Sequence, residues 1–420
     1  MSAHPALARR LGLGDATLIG LGSMIGAGVF AAFTPAAQAA GSGLLVGLAV
    51  AAAVAFANAT SSAQLAAVYP TSGGSYVYGR ERLGHWWGFA AGWSFVIGKT
   101  ASCAAMALTF AAYAAPAGWE RPVAVAAVLA ITAVNLFGIT RTALLTRVIV
   151  VVVLLVLAVV VAAGASTGLP ALTVGSDLIA DGWYGILQSA GLLFFAFAGY
   201  ARIATMGEEV KDPARTIPLA ITLALGATVI IYGVIGVVVL GVLGPAGVAD
   251  SSATLATTVA AAGWGWATPL VRVGAAAASL GALLALIAGI GRTTLAMARK
   301  RDLPRWLAAV HPRFSVPYRA ELALALVVIA LVITVDLRGA IGFSAFGVLL
   351  YYVIANASAL TQPLEQRRYP RALQVFGIVG CLVLVATLPL LSIVVGLALL
   401  AVGIAYRLLS LRAMAPNQRQ

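Results

Sequence analysis

Long apolar stretches separated by short polar segments run along the whole chain, with no polar domain between them. Most stretches have the roughly 17 to 25 apolar residues that a helix needs to cross a bilayer. The pattern predicts twelve transmembrane helices in a single membrane transport domain, residues 1–420. The expected spans are about 14–40, 43–69, 85–113, 122–138, 143–164, 183–207, 216–243, 268–298, 320–336, 341–361, 372–388 and 390–408.

The composition also indicates a membrane protein. Hydrophobic residues make up 62% of the chain and charged residues only 9%, whereas soluble domains have about 25% charged residues. The two cysteines, Cys103 and Cys381, lie inside predicted spans, so neither a disulfide framework nor a metal site is expected. All three histidines lie at or beyond the ends of spans. We therefore expect neither an enzyme nor a bound cofactor.

The positive charges are unevenly distributed between the two sets of loops. With the N-terminus inside, most of the 26 lysines and arginines fall in cytoplasmic loops, while Glu120, Asp181 and Asp250 fall in outer loops. The positive-inside rule then predicts that both termini are cytoplasmic and that the chain lies in the cytoplasmic membrane. Because the net charge of +13 follows from this sorting, no nucleic-acid partner is expected.

Two predicted spans contain residues that interrupt a helix. The first span has three glycines and a serine between Gly22 and Gly28, and the sixth has a second interruption around 195–200. The second interruption comes five spans after the first, so the two halves of the chain would have opposite orientations in the membrane. This arrangement is typical of transporters with a site at the bilayer midplane. Close helix packing through Gly22 and Gly26 is the alternative for the first interruption.

The chain resembles the amino acid, polyamine and organocation (APC) superfamily of secondary transporters. The order and spacing of four segments carry this resemblance along about 400 residues. They are Gly22 to Phe30 in span one, Tyr69 to Tyr76 after span two, Phe194 to Gly199 running on to Glu208 through Pro213, and Ala296 to Arg299 with Leu303 and Pro304 after span eight.

The resemblance implies an all-α membrane fold of twelve helices, with two inverted five-helix repeats at about 14–164 and 183–361 and two extra helices at about 372–408. It also implies an amino acid held between broken helices one and six, where freed peptide groups suit a zwitterion. By position, the amides of Ala27, Gly28 and Val29 would bind the carboxylate. The ammonium group would bind the carbonyls of Met24, Ile25, Phe195 and Ala198, with Gly26 at the break and Phe195 also serving as a gate.

The chain departs from the family pattern at two positions. Tyr200 and Ala201 follow Gly199 where cation-selective relatives often have an acidic residue, so a di-cationic substrate is disfavoured. Val153 stands where several proton-driven relatives have a lysine in span five. The lysine that couples transport to protons in those relatives is therefore missing.

Lys99 is the main candidate to replace that lysine. It lies 14 residues into the span that begins near His85, about 21 Å along a helix and thus near the midplane. Three interpretations remain open: Lys99 carries the coupled proton, it attracts a substrate carboxylate, or it donates to carbonyls of an unwound segment and stiffens the bundle. Cys103 and Met106 share its helix face, and either line the pocket or pack in the core.

Charges near the inner end of span six suggest an inner gate. Arg202 lies past the middle of the span and is expected to reach inner water or to pair with Asp15 or Glu209. Glu208 and Glu209 end the span at the predicted cytoplasmic surface. A solvated charge cluster remains the alternative to a gating role.

These observations predict a proton-coupled symporter of neutral amino acids that works by alternating access. An exchanger or facilitator, or a carrier of acidic or cationic amino acids or amines, is the alternative. A sensor on the same fold remains a remote possibility. A channel is disfavoured because the irregular backbone is concentrated in two places rather than in rings of repeated side chains. The chain is expected to lie in a lipid bilayer, and the sequence does not predict its oligomeric state.

Overall fold

The computed structural model describes residues 11–70, 73–138, 143–171, 176–207 and 209–414. Within these ranges the regular structure is helical, apart from one isolated β-bridge between Leu11 and Val210. This is the expected result for long apolar runs, because a helix pairs its backbone polar groups internally, where lipid offers no partners.

The described residues in the first half of the chain form seven α-helices. They are α1 (Leu13–Ala31), α2 (Phe33–Ala40), α3 (Leu44–Val68), α4 (Gly74–Leu83), α5 (His85–Ala114), α6 (Glu120–Leu136) and α7 (Ala143–Ala165). The first predicted span is divided into α1 and α2, and the ten-residue helix α4 lies between the second and third predicted spans.

Nine α-helices follow in the described residues of the second half. They are α8 (Gly182–Phe197), α9 (Ala201–Ala204), α10 (Pro213–Asp250), α11 (Thr254–Ala261), α12 (Thr268–Arg299), α13 (Tyr318–Thr334), α14 (Leu337–Leu360), α15 (Arg371–Thr387) and α16 (Leu390–Met414). The short helix α11 lies between the seventh and eighth predicted spans.

In the part of the chain that the structure describes, nine helical segments are long and apolar enough to cross a membrane. Helices α6, α13 and α15 have 17 residues each, at the lower limit of about 17 residues for a span. An all-helical membrane fold is therefore confirmed, whereas the count of twelve spans and the inverted repeats remain predictions.

Helix α5 lies at the centre of the bundle, packed against α12 and α14. Its crossing with α14 depends on two glycines, because a Cβ atom at Gly347 would lie 2.7 Å from the Cα atom of Gly98. Small residues of this kind let helix backbones approach closely in membranes, where packing drives association. The crossing places the next residue, Lys99, deep inside the bundle.

A buried polar cluster joins α3, α14 and α15. The side-chain amide of Asn356 donates to Asn58 Oδ1 over 2.6 Å, and the Ser61 hydroxyl donates to Asn356 Oδ1 over 2.6 Å. The side-chain nitrogen of Asn58 lies 3.2 Å from the sulfur of Cys381. Side-chain hydrogen bonds between apolar helices contribute to their association, so this cluster fixes the three helices relative to one another.

Candidate functional site

Helix α1 is interrupted in the middle of its predicted span. Gly26 has φ 4° and ψ −123°, outside the helical region, and the helical turns resume beyond it, where the Ala32 amide donates to the Gly28 carbonyl over 3.0 Å. Carbonyl groups before the break lack the amide donor that a continuous helix would supply one turn later, so they are free to accept from other donors. The break predicted in helix one from its glycines is confirmed.

The sixth predicted span is interrupted at a comparable position. Helix α8 ends at Phe197, a single 3₁₀ turn covers Ala198–Tyr200, and the four-residue helix α9 follows. The carbonyl of Ala198 accepts a hydrogen bond from Nζ of Lys99 over 3.4 Å. A side chain from α5 thus partners a backbone group that the interruption has freed.

The two interruptions are in direct contact. A Cβ atom at Gly199 would overlap the carbonyl of Ser23, and a Cβ atom at Gly28 would lie 2.8 Å from the Cα atom of Ala196. Only glycine at these two positions lets the two backbones come this close.

A tyrosine on α10 bridges the two interrupted helices. The hydroxyl of Tyr232 lies 2.6 Å from the carbonyl oxygen of Met24 and 3.2 Å from that of Ala196, and it is placed to donate to either one. Tyr232 is 1% exposed. Its hydroxyl is therefore within hydrogen-bonding reach of both interrupted helices and satisfies one of the two carbonyl groups at a time.

A cavity of about 330 Å³ lies beside these breaks. Seven of the predicted site residues line it, together with other groups. The seven are Met24, Gly28, Lys99, Met106, Phe195, Ala198 and Arg202, and the lining also includes Gly22, Ser23, Tyr76, Ser102, Glu209 and Arg292.

Ile25, Val29 and Cys103, also predicted to bind the substrate, are not among the described residues that line the cavity. Ile25 and Val29 are 2% and 1% exposed, and Gly26 forms the break itself. Their predicted roles, like that of Ala27, depend on backbone groups and remain predictions. Cys103 is fully buried in an apolar cluster, so its thiol is packed in the core and does not form part of the cavity wall.

Lys99 is buried in the wall of this cavity, at 8% exposed. Among the described residues that line the cavity, Glu209 is the only carboxylate, and its Oε1 lies 3.8 Å from Nη2 of Arg202. Lys99 therefore faces the cavity with a backbone carbonyl as its partner. A buried amine with such a partner suits either proton transfer or the binding of an anion.

The predicted pairing of Arg202 is confirmed for Glu209 and is wrong for Asp15. The Asp15 carboxylate forms an ion pair with Arg147 and accepts a hydrogen bond from the Gly12 amide over 3.2 Å. Asp15 is held this way because it lies in the first turn of α1, where its side chain folds back onto the helix start. Glu208, also predicted at this end, lies outside the described residues.

At the end of the bundle opposite Glu209 and Arg292, hydrogen bonds join four helices. The hydroxyl of Tyr113 donates to the Phe30 carbonyl over 3.2 Å and accepts from the Leu255 amide over 3.3 Å. Arg272 donates to the Tyr113 carbonyl over 3.0 Å. These contacts join α1, α5, α11 and α12, while the cavity extends the other way, to Glu209 and Arg292.

Comparison with known proteins identifies the family. The sequence profile of the family described as amino acid permease matches residues 11–409. The chain belongs to the amino acid permease family. This permease is therefore an integral membrane protein and an amino acid transporter, not an enzyme.

The relatives of the permease carry transporter names. An uncharacterized transporter of Mycobacterium tuberculosis is 63% identical over 402 residues, covering 95% of this chain and 90% of that protein. The branched-chain amino acid permease BcaP of Bacillus subtilis is 27% identical over 449 residues, covering 99% and 96%. Cationic amino acid transporter 7, chloroplastic, of Arabidopsis thaliana is 28% identical over 368 residues, covering 81% and 63%.

A charged cluster at the open end of the permease was not found from sequence. The carboxylate of Asp302, 3% exposed, accepts a hydrogen bond from the Tyr76 hydroxyl over 2.7 Å and lies 3.5 Å from Nη1 of Arg80. It also forms an ion pair with Arg407 of α16. Burial and the bond to Asp302 raise the pKa of Tyr76, so its hydroxyl stays protonated and donates.

Tyr232 and Tyr113 were also missed. Each is a single hydroxyl-bearing aromatic residue in an apolar stretch, and a buried tyrosine needs a hydrogen-bond partner. That signal shows that each tyrosine needs a partner, but not which one. The partners are the Met24 and Ala196 carbonyls for Tyr232, and the Phe30 carbonyl and the Leu255 amide for Tyr113.

Proposed function

We propose that this permease transports a neutral amino acid together with a proton, by alternating access around the cavity beside the two helix breaks. The observation that carries the proposal is the contact between the α1 break and the α8–α9 break at the cavity wall. Freed peptide groups there offer amides to a carboxylate and carbonyls to an ammonium group.

The proposed site uses the backbone of both breaks. The substrate carboxylate binds the amides of Ala27, Gly28 and Val29, at the start of the second part of α1, where the helix dipole favours an anion. The ammonium group binds the carbonyl oxygens of Met24, Ile25, Phe195 and Ala198. Those of Met24 and Ala198 already accept from Tyr232 and Lys99, but a carbonyl oxygen has two lone pairs, so a second donor fits.

Lys99 is the proposed site of proton coupling. Its ammonium group donates to Ala198, within the interrupted segment that we propose binds the substrate. A neutral amine donates more weakly, because a charge-assisted hydrogen bond is roughly twice as strong as a neutral one. A change in the protonation state of Lys99 would then change the strength of its hydrogen bond to Ala198, and with it the geometry of the α8–α9 break.

The charges around the cavity favour a substrate without net positive charge. Lys99, Arg202 and Arg292 line it together with one carboxylate, Glu209. A cationic side chain would meet repulsion in a region of low dielectric constant. The name of the Bacillus subtilis relative, a branched-chain amino acid permease, is consistent with a neutral substrate. The second candidate is an acidic amino acid, whose side-chain carboxylate would bind Lys99.

The proposed orientation is inward-facing. The cavity extends toward the end of the bundle where α1 begins, while the hydrogen bonds of Tyr113 join helices at the other end. The distribution of lysine and arginine predicts that α1 begins at the cytoplasmic side of the cytoplasmic membrane, with both termini inside. Rocking of the helices that carry the breaks would open the Tyr113 end and close the Glu209 end.

Uptake into proteoliposomes tests this proposal. Purified permease is reconstituted, and radiolabelled leucine, glutamate and arginine are offered separately, with and without an inward proton gradient. We expect the gradient to concentrate leucine inside, and a protonophore to abolish this accumulation while counterflow against internal leucine continues. Gradient-driven uptake of glutamate alone would favour the second candidate, and absence of both uptake and counterflow for every amino acid would exclude transport.

A further inference from the structure

A second cavity, of about 450 Å³, lies between α5, α12, α13 and α16. Ile290 of α12 contributes to the walls of both cavities, so a single helix separates them. The wall of the second cavity is almost entirely apolar. Its lining includes Trp93, Ile97, Leu324, Leu331, Leu399 and Val402.

Two of the few polar groups in this wall, those of Thr100 and Trp93, are satisfied by the protein itself. The hydroxyl of Thr100 donates to the Val96 carbonyl over 2.7 Å, and the indole nitrogen of Trp93 donates to the Leu399 carbonyl over 2.9 Å. The cavity therefore offers an occupant no hydrogen-bond partner at these positions. An occupant that fits has a hydrocarbon surface.

The length of the cavity matches the depth of one lipid leaflet. Its wall on α13 runs from Ala320 to Leu331, eleven residues or about 16 Å at about 1.5 Å per residue. Half of a bilayer's hydrocarbon core is about 15 Å. The second cavity, called the groove from here on, therefore has the right length for one acyl chain lying along the helices.

Basic residues lie at one end of this groove. Arg319 directly precedes Ala320, and Arg305 directly follows Pro304, two residues that line the cavity. Both arginines are exposed, and Trp306 beside them is 52% exposed, a placement typical of the headgroup level.

The nearby carboxylates do not neutralise these arginines. Asp302, in the same loop, is turned inward to Tyr76, Arg80 and Arg407. Glu321 is 2% exposed and packs against Gly291 of α12. Among the described residues no ion pair joins a carboxylate to Arg305 or Arg319, so the groove ends in positive charge.

We propose that this groove binds one acyl chain of an anionic phospholipid, with its phosphate against Arg305 and Arg319. A zwitterionic lipid supplies the same hydrocarbon, but its headgroup carries no net charge to match the two arginines. The site is separate from the substrate cavity and does not depend on the proposed substrate or coupling ion.

Quenching of Trp93 fluorescence by brominated lipid tests this site. The permease is reconstituted in phosphatidylcholine vesicles containing a small fraction of either phosphatidylglycerol or phosphatidylcholine with brominated acyl chains. The difference between the intact chain and Trp93→Phe isolates the signal of Trp93. We expect brominated phosphatidylglycerol to quench Trp93 at a mole fraction roughly tenfold lower than brominated phosphatidylcholine, as two arginine contacts would produce.

Two variants and two matched controls locate the lipid. Ala323→Phe fills the groove and should abolish the preference for phosphatidylglycerol, whereas Ala330→Phe, at an exposed position of the same helix, should not. The pair Arg305→Gln and Arg319→Gln should reduce the preference, whereas Arg371→Gln, at another exposed arginine, should leave it unchanged.

Three results would overturn the proposal. They are equal quenching by the two lipids, a preference that persists after both arginines are replaced, and a preference that persists in folded Ala323→Phe. If Ala323→Phe does not fold, the arginine variants decide the question.

Discussion

The hydroxyl of Tyr76 donates a 2.7 Å hydrogen bond to the buried carboxylate of Asp302. Tyr76 also lines the substrate cavity, and Asp302 binds Arg407 of α16. The guanidinium carbon of Arg407 lies 4.8 Å from the ring centre of Phe89. One carboxylate thus joins α4, the loop after α12, and the last helix at the open end of the cavity.

We expect Asp302→Asn to lower the thermal stability of the purified permease markedly. The change leaves Arg407 buried without its counter-ion, and breaking a buried pair from one side typically costs about 3–5 kcal/mol. Asp250→Asn, at an exposed acidic position, is the matched control and should behave as wild type. Equal melting temperatures for the two variants would show that the cluster contributes no stability.

The contribution of Tyr76 should be independent of pH over the physiological range. The ordinary tyrosine pKa is about 10, and burial and Asp302 raise that of Tyr76. The stabilisation is therefore complete below about pH 10 and is lost only as the pH rises further. Melting curves of wild type and Tyr76→Phe should differ by a constant amount between about pH 6 and pH 9. A difference that shrinks within that window would contradict a neutral, donating phenol.

Replacement of Lys99 should separate proton coupling from substrate binding. We expect Lys99→Ala to lose accumulation driven by a pH gradient while it retains counterflow, because the backbone groups of both breaks remain. Thr100→Val, at the neighbouring buried position, serves as the control for packing changes in α5. Undiminished gradient-driven uptake by Lys99→Ala would remove this residue from the coupling mechanism.

Substitution of Gly28 should block formation of the site. A Cβ atom there would lie 2.8 Å from the Cα atom of Ala196, so Gly28→Val forces the two breaks apart. We expect at least a tenfold loss of substrate affinity, about 1.4 kcal/mol, measured by ligand-induced thermal shift. Gly226→Ala, at an exposed position of α10 with nothing within 4 Å of the new methyl group, is the matched control and should bind as wild type. Wild-type affinity in Gly28→Val would contradict a site built on the two breaks.

The features that the sequence predicted well are those with a local cause. Clustered glycines break a helix wherever that helix packs, so the interruption at Gly26 was predictable from its own segment. The burial of Lys99 followed from its distance along α5. The spacing of residues 99, 103 and 106 was less informative, because a shared helix face does not show how much of that face a neighbouring helix covers, and Cys103 is covered.

The features that were missed or wrongly predicted depend on contacts between distant segments. Asp15 was expected near Arg202, but Arg147, more than a hundred residues away in sequence, lies closer. Asp302 directly follows three basic residues, 299–301, in the sequence. Its partners come from α4 and α16. No local pattern encodes such pairings, because they are set by how the helices assemble.

Tyr232 offers the most direct test of whether the two breaks act as one unit. Its hydroxyl is within hydrogen-bonding distance of the carbonyl oxygens of Met24 in α1 and Ala196 in α8. Tyr232→Phe removes that hydroxyl and changes nothing else in the side chain. Removing the donor takes one hydrogen bond from these buried carbonyls, and an unsatisfied buried acceptor typically costs about 1–3 kcal/mol. We therefore expect a lower melting temperature and, if the breaks form the substrate site, a loss of substrate affinity as well.

The matched control for this variant is Tyr184→Phe, because Tyr184 is 62% exposed and the change removes the same hydroxyl from a surface position. If Tyr232→Phe melts earlier but binds the substrate with wild-type affinity, the tyrosine is a structural brace alone. If both properties fall together and Tyr184→Phe changes neither, the hydrogen bonds of Tyr232 hold the two breaks in their binding geometry. Because Tyr232 lies on a third helix, α10, movement of that helix would then alter both halves of the site at once.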